Sequence, residues 1–281
     1  MIAACLKWVD RRPEIDRLTG DVHTDARTSG PSDADEAALE WALRMAEQWR
    51  DEVVAIAAGG VEVEPMLRDA MAAGAARVVR IDIDQRSSSD VVAAAIASWI
   101  RTSVVDTVVC GVWSLDRGSG SVPAFVAAHL DAAQVLGAVN LTIDAARGAL
   151  DIERRLDRGR RERVRVMSPA VVSVEGASAR VRRAALDRVV AARSIVIEAH
   201  RPGSRPTGSP GSRPAAPAAH AVPFRPRARV LAAPPRELSA RERILALSGA
   251  LVDREPPRVV RLDPAAAADE LLSQLHTWGY L

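Results

Sequence analysis

Short aliphatic runs alternate with longer amphipathic segments over the first two hundred residues of this 281-residue chain. The runs have the length of buried strands, and the longer segments repeat apolar residues every three or four positions, as helices do. Strands that alternate with helices form a mostly parallel sheet with helices on its faces. We therefore predict an α/β fold with strands at 2–9, 52–58, 77–83, 107–111 and 138–143 and helices at 35–50, 65–73, 90–103 and 122–130.

The composition changes abruptly after residue 200, where Pro, Gly, Ser, Arg and Ala replace the aliphatic runs. Such a segment cannot build a core, so we predict a flexible linker. Beyond it the pattern predicts a strand at 227–233 and helices at 239–248 and 264–278, too few to form a core alone. The predicted organisation is an α/β domain at 1–200, a linker at 201–226 and an arm at 227–281 that packs on another protein.

Charge is unevenly distributed, although the formal net charge is only +2. Residues 1–150 hold 14 basic and 22 acidic side chains, and the rest of the chain holds 24 and 14. The arginines of the basic half are dispersed and have no interleaved aromatic residues, so nucleic-acid binding is not predicted. A docking surface for an acidic protein explains the excess of basic residues in this half at least as well.

Several features predict a cytoplasmic protein. No apolar run is long enough to cross a bilayer, so we expect no membrane insertion, and the first residues do not have the pattern of a signal peptide. Cys5 and Cys110 both lie in apolar strand patterns, where a buried, reduced thiol is expected rather than a disulfide or a metal ligand.

No catalytic or metal-binding constellation is recognisable. The five histidines are scattered and none has a neighbour at a ligand spacing. The glycine motifs of hydrolases, P-loops and Rossmann dinucleotide sites are also missing from the sequence. This argues against a hydrolase or a simple dehydrogenase, and we predict neither catalytic residues nor a metal.

The best candidate binding site is the glycine- and serine-rich loop that follows the strand at 107–111 and enters the next helix through Pro123. Ligands of open α/β sheets bind at the carboxyl ends of strands, and small residues let backbone N–H groups approach phosphate oxygens. The composition alone also fits an ordinary surface loop. The candidate residues are Gly111, Val112, Trp113, Ser114, Leu115, Asp116, Arg117, Gly118, Ser119 and Gly120.

Residues 152–173 have the pattern of a hairpin with a glycine-containing turn, followed by an apolar run that Pro169 begins. We expect this hairpin to add antiparallel strands at one edge of the sheet. The order of residue types closely resembles the signature of the electron transfer flavoprotein beta subunit family, with one departure at Arg158. The matching residues are Ile152, Arg154, Asp157, Gly159, Glu162, Val164, Pro169, Val171, Val172 and Ser173.

The resemblance implies a sheet of the adenine nucleotide alpha hydrolase type and an AMP site. The loop at 111–123 resembles the family's nucleotide-binding loop, with departures at Arg117, Gly118 and Ser121. The strand at Cys5, the segment at 31–44 and the strand end at Ala58 resemble other nucleotide-contacting parts of the family. The implied binding residues outside the loop are Cys5, Ser32, Asp33, Ala34, Asp35 and Ala58. Helix capping is an alternative role for Asp33 or Asp35.

Residues 182–193 resemble the family's recognition loop. The resemblance implies that Leu186 anchors a partner dehydrogenase, with Arg182 and Arg183 beside it. The alternative is a helix start whose leucine lies in the core.

The resemblance also implies the function. The chain would be a beta subunit without catalysis of its own, in a heterodimer whose alpha subunit holds most of the FAD. Electrons would come from a flavin or other dehydrogenase and leave to a quinone oxidoreductase or another acceptor. Two alternatives stay open: a bifurcating-type beta subunit with a second FAD in place of AMP, and an adenine-nucleotide-binding α/β enzyme.

Overall fold

The computed structural model of the chain describes residues 1–146, 148–203, 233–248 and 259–280. The chain divides into two compact units, Met1–Arg225 and Pro226–Leu281. The described strands of the first unit are β1 (Ile2–Leu6), β2 (Val9–Asp10), β3 (Glu14–Ile15), β4 (Val22–His23), β5 (Ser29–Gly30), β6 (Val53–Ala58), β7 (Arg77–Ile81), β8 (Thr107–Gly111), β9 (Ala133–Asp144), β10 (Ala149–Arg155), β11 (Arg161–Met167), β12 (Ala170–Val174) and β13 (Glu198–His200). Its described helices are α1 (Asp33–Trp49), α2 (Glu64–Ala73), α3 (Ser89–Ile100), α4 (Val122–Leu130) and α5 (Leu186–Ala192).

One large sheet organises the described part of the first unit. Its nine strands lie in the order β11-β10-β9-β12-β8-β1-β6-β7-β13. Strand β10 is antiparallel to both of its neighbours, and the other described pairs of this sheet are parallel. The prediction of an α/β fold with an antiparallel hairpin at one edge is therefore confirmed.

The core lies on both faces of this sheet, because side chains alternate along a strand. In β1, Ile2, Ala4 and Leu6 pack in the layer that contains α1 and α2. Ala3 and Cys5 pack in the opposite layer, which contains α3 and α4. Strands covered on both faces are apolar at successive positions, which explains the continuous aliphatic runs of the sequence.

Some predicted boundaries were wrong. Strand β1 ends at Leu6 instead of residue 9, because Val9 leaves the sheet and pairs with Gly30. Strand β9 begins at Ala133, five residues before its predicted start, where it pairs with β12. The short edge strand β13 was not predicted. The predicted linker from residue 204 onward and the predicted strand at 227–233, except Ala233, lie outside the described residues.

The described helices of the second unit are α6 (Ala240–Ser248) and α7 (Pro264–Thr277), and neither buries a residue. Asp263 caps α7 by accepting hydrogen bonds from the backbone N–H groups of Ala265 and Ala266. Leu271 and Trp278 are both more than half exposed. Within its described ranges, this unit has no core of its own.

No helix in the described parts of either unit is long and apolar enough to cross a membrane.

Candidate functional site

A cleft opens at the carboxyl ends of β1, β6 and β8, where an open α/β sheet binds its ligands. Nine of the residues predicted from the sequence line it: Cys5, Asp35, Ala58, Gly111, Trp113, Ser114, Arg117, Ser119 and Gly120. The structure thus brings together, from four separate parts of the chain, most of the residues that the sequence singled out.

The cleft also has lining residues that the sequence analysis missed. Lys7 had one usable signal, since it is the single lysine of the chain and directly follows a buried strand. The residues from α3 and the loop before it had no motif of their own, and only the position of β7 beside β6 places them here. The missed residues are Leu6, Lys7, Gln85, Ser89, Val92, Ile96 and Cys110, whereas Ser121, Val122 and Pro123 belong to the end of the candidate loop at 111–123.

The other predicted residues lie around the cleft without lining it. Ser32 caps α1, and Asp33 and Ala34 form its first turn, where Gly176 passes within close packing distance. In the loop, Val112 donates its N–H to the Val174 carbonyl oxygen, and Leu115 is about half exposed. Asp116 pairs with Lys7, and Gly118 adopts a positive φ of 67°.

The start of α1 is held by a capping box. The Ser32 hydroxyl accepts a hydrogen bond from the Asp35 N–H at 3.2 Å, and one Asp35 carboxylate oxygen accepts the Ser32 N–H at 3.0 Å. The other oxygen accepts the backbone N–H of Lys7 at 3.2 Å, which ties α1 to the end of β1. Burial raises the pKa of Asp35 to about 6, although these hydrogen bonds oppose the shift.

Two consecutive residues of the loop at 112–121 connect it to opposite sides of the cleft. Lys7 Nζ donates to both Asp116 carboxylate oxygens, at 2.5 and 2.6 Å, and to Ser114 Oγ at 3.2 Å. Partial burial acts to raise the pKa of Asp116, but the hydrogen bonds from Lys7 and Ser114 outweigh it and the pKa is lowered. On the other side, Arg117 donates to the carbonyl oxygens of Gln85 and Ser87, at 3.0 and 2.7 Å.

Two glycines, one at the end of β8 and one in this loop, stand where a Cβ would be too close to backbone atoms. A Cβ on Gly111 would lie 3.1 Å from Ala34 and 3.2 Å from the Asp35 nitrogen, so β8 ends directly against the start of α1. Gly120 has a φ of +58°, and its Cβ would lie 2.4 Å from the Val112 carbonyl oxygen. These glycines therefore give the loop its tight path along the cleft.

The wall formed by β1, β8 and α3 is mostly apolar. It includes Cys5 and Cys110, which are paired in register on neighbouring strands, together with Val92 and Ile96. A hydrogen bond with Cys5 and burial raise the pKa of the Cys110 thiol, so this thiol stays neutral. A cleft with one apolar wall and one polar loop suits a ligand that joins a flat apolar group to an anion.

The described residues contain no cluster of three or more side chains suited to hold a metal ion.

The predicted docking segment at 182–193 contains α5, and Leu186 is the first residue of that helix. Leu186 is 78% exposed, which excludes the alternative that it belongs to the core. Arg183 lies beside a groove between this segment and the carboxyl ends of α1 and α2. Arg182 is engaged within the chain, where its Nε lies 3.0 Å from a Glu40 carboxylate oxygen and its guanidinium also pairs with Glu47. The Arg182 side chain therefore fixes the docking segment to α1 through these two ion pairs.

The fold and the cleft define an α/β protein with a cleft at the carboxyl edge of its sheet. Residues 20–201 match the family model described as "Electron transfer flavoprotein domain". The chain belongs to this family, and the resemblance inferred from residues 152–173 is confirmed.

Three relatives show that the similarity is to beta-type chains. The chain is 28% identical to the human electron transfer flavoprotein subunit beta over 173 residues, 60% of this chain and 67% of the relative. It is 29% identical to the subunit beta of Methylophilus methylotrophus over 182 residues, 63% and 69% of the two chains. It is 28% identical to protein FixA of Rhizobium meliloti over 209 residues, 70% and 71% of the two chains.

Proposed function

We propose that this chain is the beta subunit of a heterodimeric electron transfer flavoprotein and that its cleft binds AMP. The carrying observation is the assembly of one cleft from Cys5, Asp35, Ala58 and the loop at 111–120, the segments that the family resemblance assigns to the nucleotide. These segments are far apart in sequence.

The residues of the cleft fit an adenine nucleotide. The apolar wall at Val92 and Ile96 suits the flat base, and the path of the loop at Gly111 and Gly120 leaves backbone N–H groups close to the ligand. Arg117 brings positive charge to the side where a phosphate would lie, whereas Lys7 is paired with Asp116. No residue is needed to attack that phosphate, because the proposed AMP is a structural ligand.

The alpha subunit is the proposed principal partner. FAD, held mainly by that subunit, supplies the electron-carrying chemistry when bound, and this chain contributes one wall that orients it and excludes water. The arm at 227–281, with the exposed apolar residues of α7, would pack on the alpha subunit. Because both cysteines are free thiols, we place the complex in the cytoplasm.

The proposed electron path begins at a dehydrogenase that docks at Leu186 and ends at a quinone oxidoreductase or another acceptor. This chain would catalyse no transformation of its own. Its tasks are to bind AMP, to orient the FAD and to dock the dehydrogenase.

Co-expression with an electron transfer flavoprotein alpha subunit tests this proposal. We expect a soluble yellow complex that releases one FAD and one AMP on denaturation, whereas the chain alone should be colourless or insoluble. A stable monomer that binds FAD by itself would contradict the heterodimer. Two FAD and no AMP would instead favour a bifurcating-type subunit, an alternative that the loop's departures from the family pattern at Arg117–Ser121 keep open.

A further inference from the structure

The geometry points to Arg117 as a latch on the cleft, which binds the phosphate of the nucleotide while it bridges the two loops at the cleft mouth. This inference rests on the proposed AMP site and adds to it the residue that selects the phosphate. Arg117 belongs to the loop that follows β8, and its two hydrogen-bond acceptors belong to the loop between β7 and α3.

Charge is the first reason. Among the described residues, the cationic side chains that line the cleft are Lys7 and Arg117. The charge of Lys7 is balanced by Asp116, whose carboxylate oxygens lie 2.5 and 2.6 Å from Nζ. In the described part of the chain, Arg117 donates only to neutral carbonyl oxygens and makes no ion pair. Its positive charge is therefore available to an anionic ligand.

Orientation is the second reason. A guanidinium carries five N–H donors in a planar fork, and the bonds to Gln85 and Ser87 use two of them. Those two bonds fix the plane of the group before a ligand arrives, so less conformational entropy is lost when the remaining donors bind a phosphate. A planar, pre-oriented fork is well matched to phosphate oxygens.

The third reason is that the loop is fixed on both sides. The Lys7–Asp116 pair holds it to the end of β1, and Arg117 holds it to the loop before α3. A phosphate bound at Arg117 would therefore be held by a loop that is already fixed on both sides of the cleft. The latch should then favour a nucleotide over the corresponding nucleoside.

Calorimetric titration of the nucleotide-free heterodimer with AMP and with adenosine tests the latch. Arg117→Gln should weaken AMP about tenfold, the loss expected for a charged hydrogen bond at a partly exposed site, and leave adenosine within about twofold. Arg117→Lys keeps the charge but loses the planar fork, so it should weaken AMP by about threefold, less than Arg117→Gln does. Arg86→Gln is the matched control, because Arg86 is an exposed arginine of the loop that Arg117 contacts and its Asp84 contact is 3.9 Å long, so the affinity for neither ligand should change.

Melting temperature and FAD content verify that each variant is folded. An equal loss of affinity for AMP and adenosine in Arg117→Gln would overturn the phosphate contact. Arg117 would then only connect the two loops. Unchanged AMP binding, or a loss in Arg117→Lys as large as in Arg117→Gln, would overturn the latch as well. A wild-type heterodimer that binds neither ligand would overturn the proposed AMP site itself, and the latch with it.

Discussion

The buried carboxyl group of Asp35, in the wall of the cleft, should make the stability of the folded chain depend on pH. Burial raises its pKa from 3.8 to about 6, so the folded chain keeps a proton that the unfolded chain has already released. Between about pH 4 and pH 6 the folded state therefore binds more protons, and the free energy of unfolding falls as the pH rises. The stability that protonated Asp35 contributes is fully present below about pH 4 and is lost as the pH rises through about 6.

We expect Asp35→Asn to remove that dependence. Relative to the variant, the wild type should lose on the order of 1–3 kcal/mol of unfolding free energy between about pH 4 and pH 6. Urea unfolding at several pH values measures the difference. Asp33→Asn, on the exposed side of the same turn, is the control and should run parallel to the wild type. A pH-independent difference for Asp35→Asn would contradict the buried, proton-binding carboxyl group.

Leu186 is the second residue with a separable role. Because its side chain is 78% exposed, Leu186→Ala should leave the melting temperature and FAD content nearly unchanged. A leucine buried in a complex contributes about 1–3 kcal/mol, so apparent affinity for the partner dehydrogenase should fall roughly ten- to a hundredfold. Steady-state reduction of the flavin by the dehydrogenase measures this loss.

Val196→Ala is the control for Leu186, since Val196 is 93% exposed and lies outside the predicted docking segment. Added salt should slow reduction of the wild type, because the arginines around Leu186 act mainly on the association rate. Equal reduction rates in Leu186→Ala and the wild type would refute the docking role.

At the scale of elements, helix α1 joins the cleft to the docking segment. Its first turn carries the capping box, and further along it Trp41 Nε1 donates to Ser178 Oγ at 3.1 Å. Glu40, which is buried, accepts hydrogen bonds from the Arg182 backbone and side chain and from Arg44. Burial acts to raise the pKa of Glu40, but these hydrogen bonds outweigh it and the pKa is lowered.

Glu40→Gln should therefore destabilise the chain by about 1–3 kcal/mol, because it leaves Arg182 without its buried carboxylate. Glu47→Gln is matched to it, since Glu47 pairs with the same arginine but is 60% exposed, and should cost less than about 1 kcal/mol. Denaturant unfolding compares the two. Equal effects would show that burial of Glu40 is unimportant for this connection.

At the scale of the whole molecule, the second unit has exposed apolar residues and no core in its described ranges. We expect Leu271→Ser combined with Leu272→Ser to leave the first unit folded and to weaken the complex with the alpha subunit at least about tenfold. Co-purification and a binding titration measure this change. Ala268→Ser, exposed on the same helix, is the control. An unchanged affinity would contradict the proposed packing of the arm.

The sequence by itself determined the type of the longer strands and helices, but not the short strands β2 to β5 and β13. The strand at 107–111 and the helix at 122–130 have their predicted bounds, because Gly111 ends an aliphatic run and Pro123 begins a helical one. The hairpin at one edge was likewise predicted from apolar alternation and a glycine turn, and the loop after β8 was identified from its small residues. These signals are local, since each depends on residues a few positions apart.

Only the tertiary structure decided the strand order, the contribution of α3 to the cleft and the bonds between distant segments. Glu40 and Arg182 are 142 residues apart, and Lys7 and Asp116 are 109 apart. Whether Leu186 is buried or exposed was also decided by the tertiary structure, because an amphipathic pattern does not show whether its apolar face is covered. Such contacts depend on which strands become neighbours, and strand pairing is determined by the packing of the whole core rather than by local sequence.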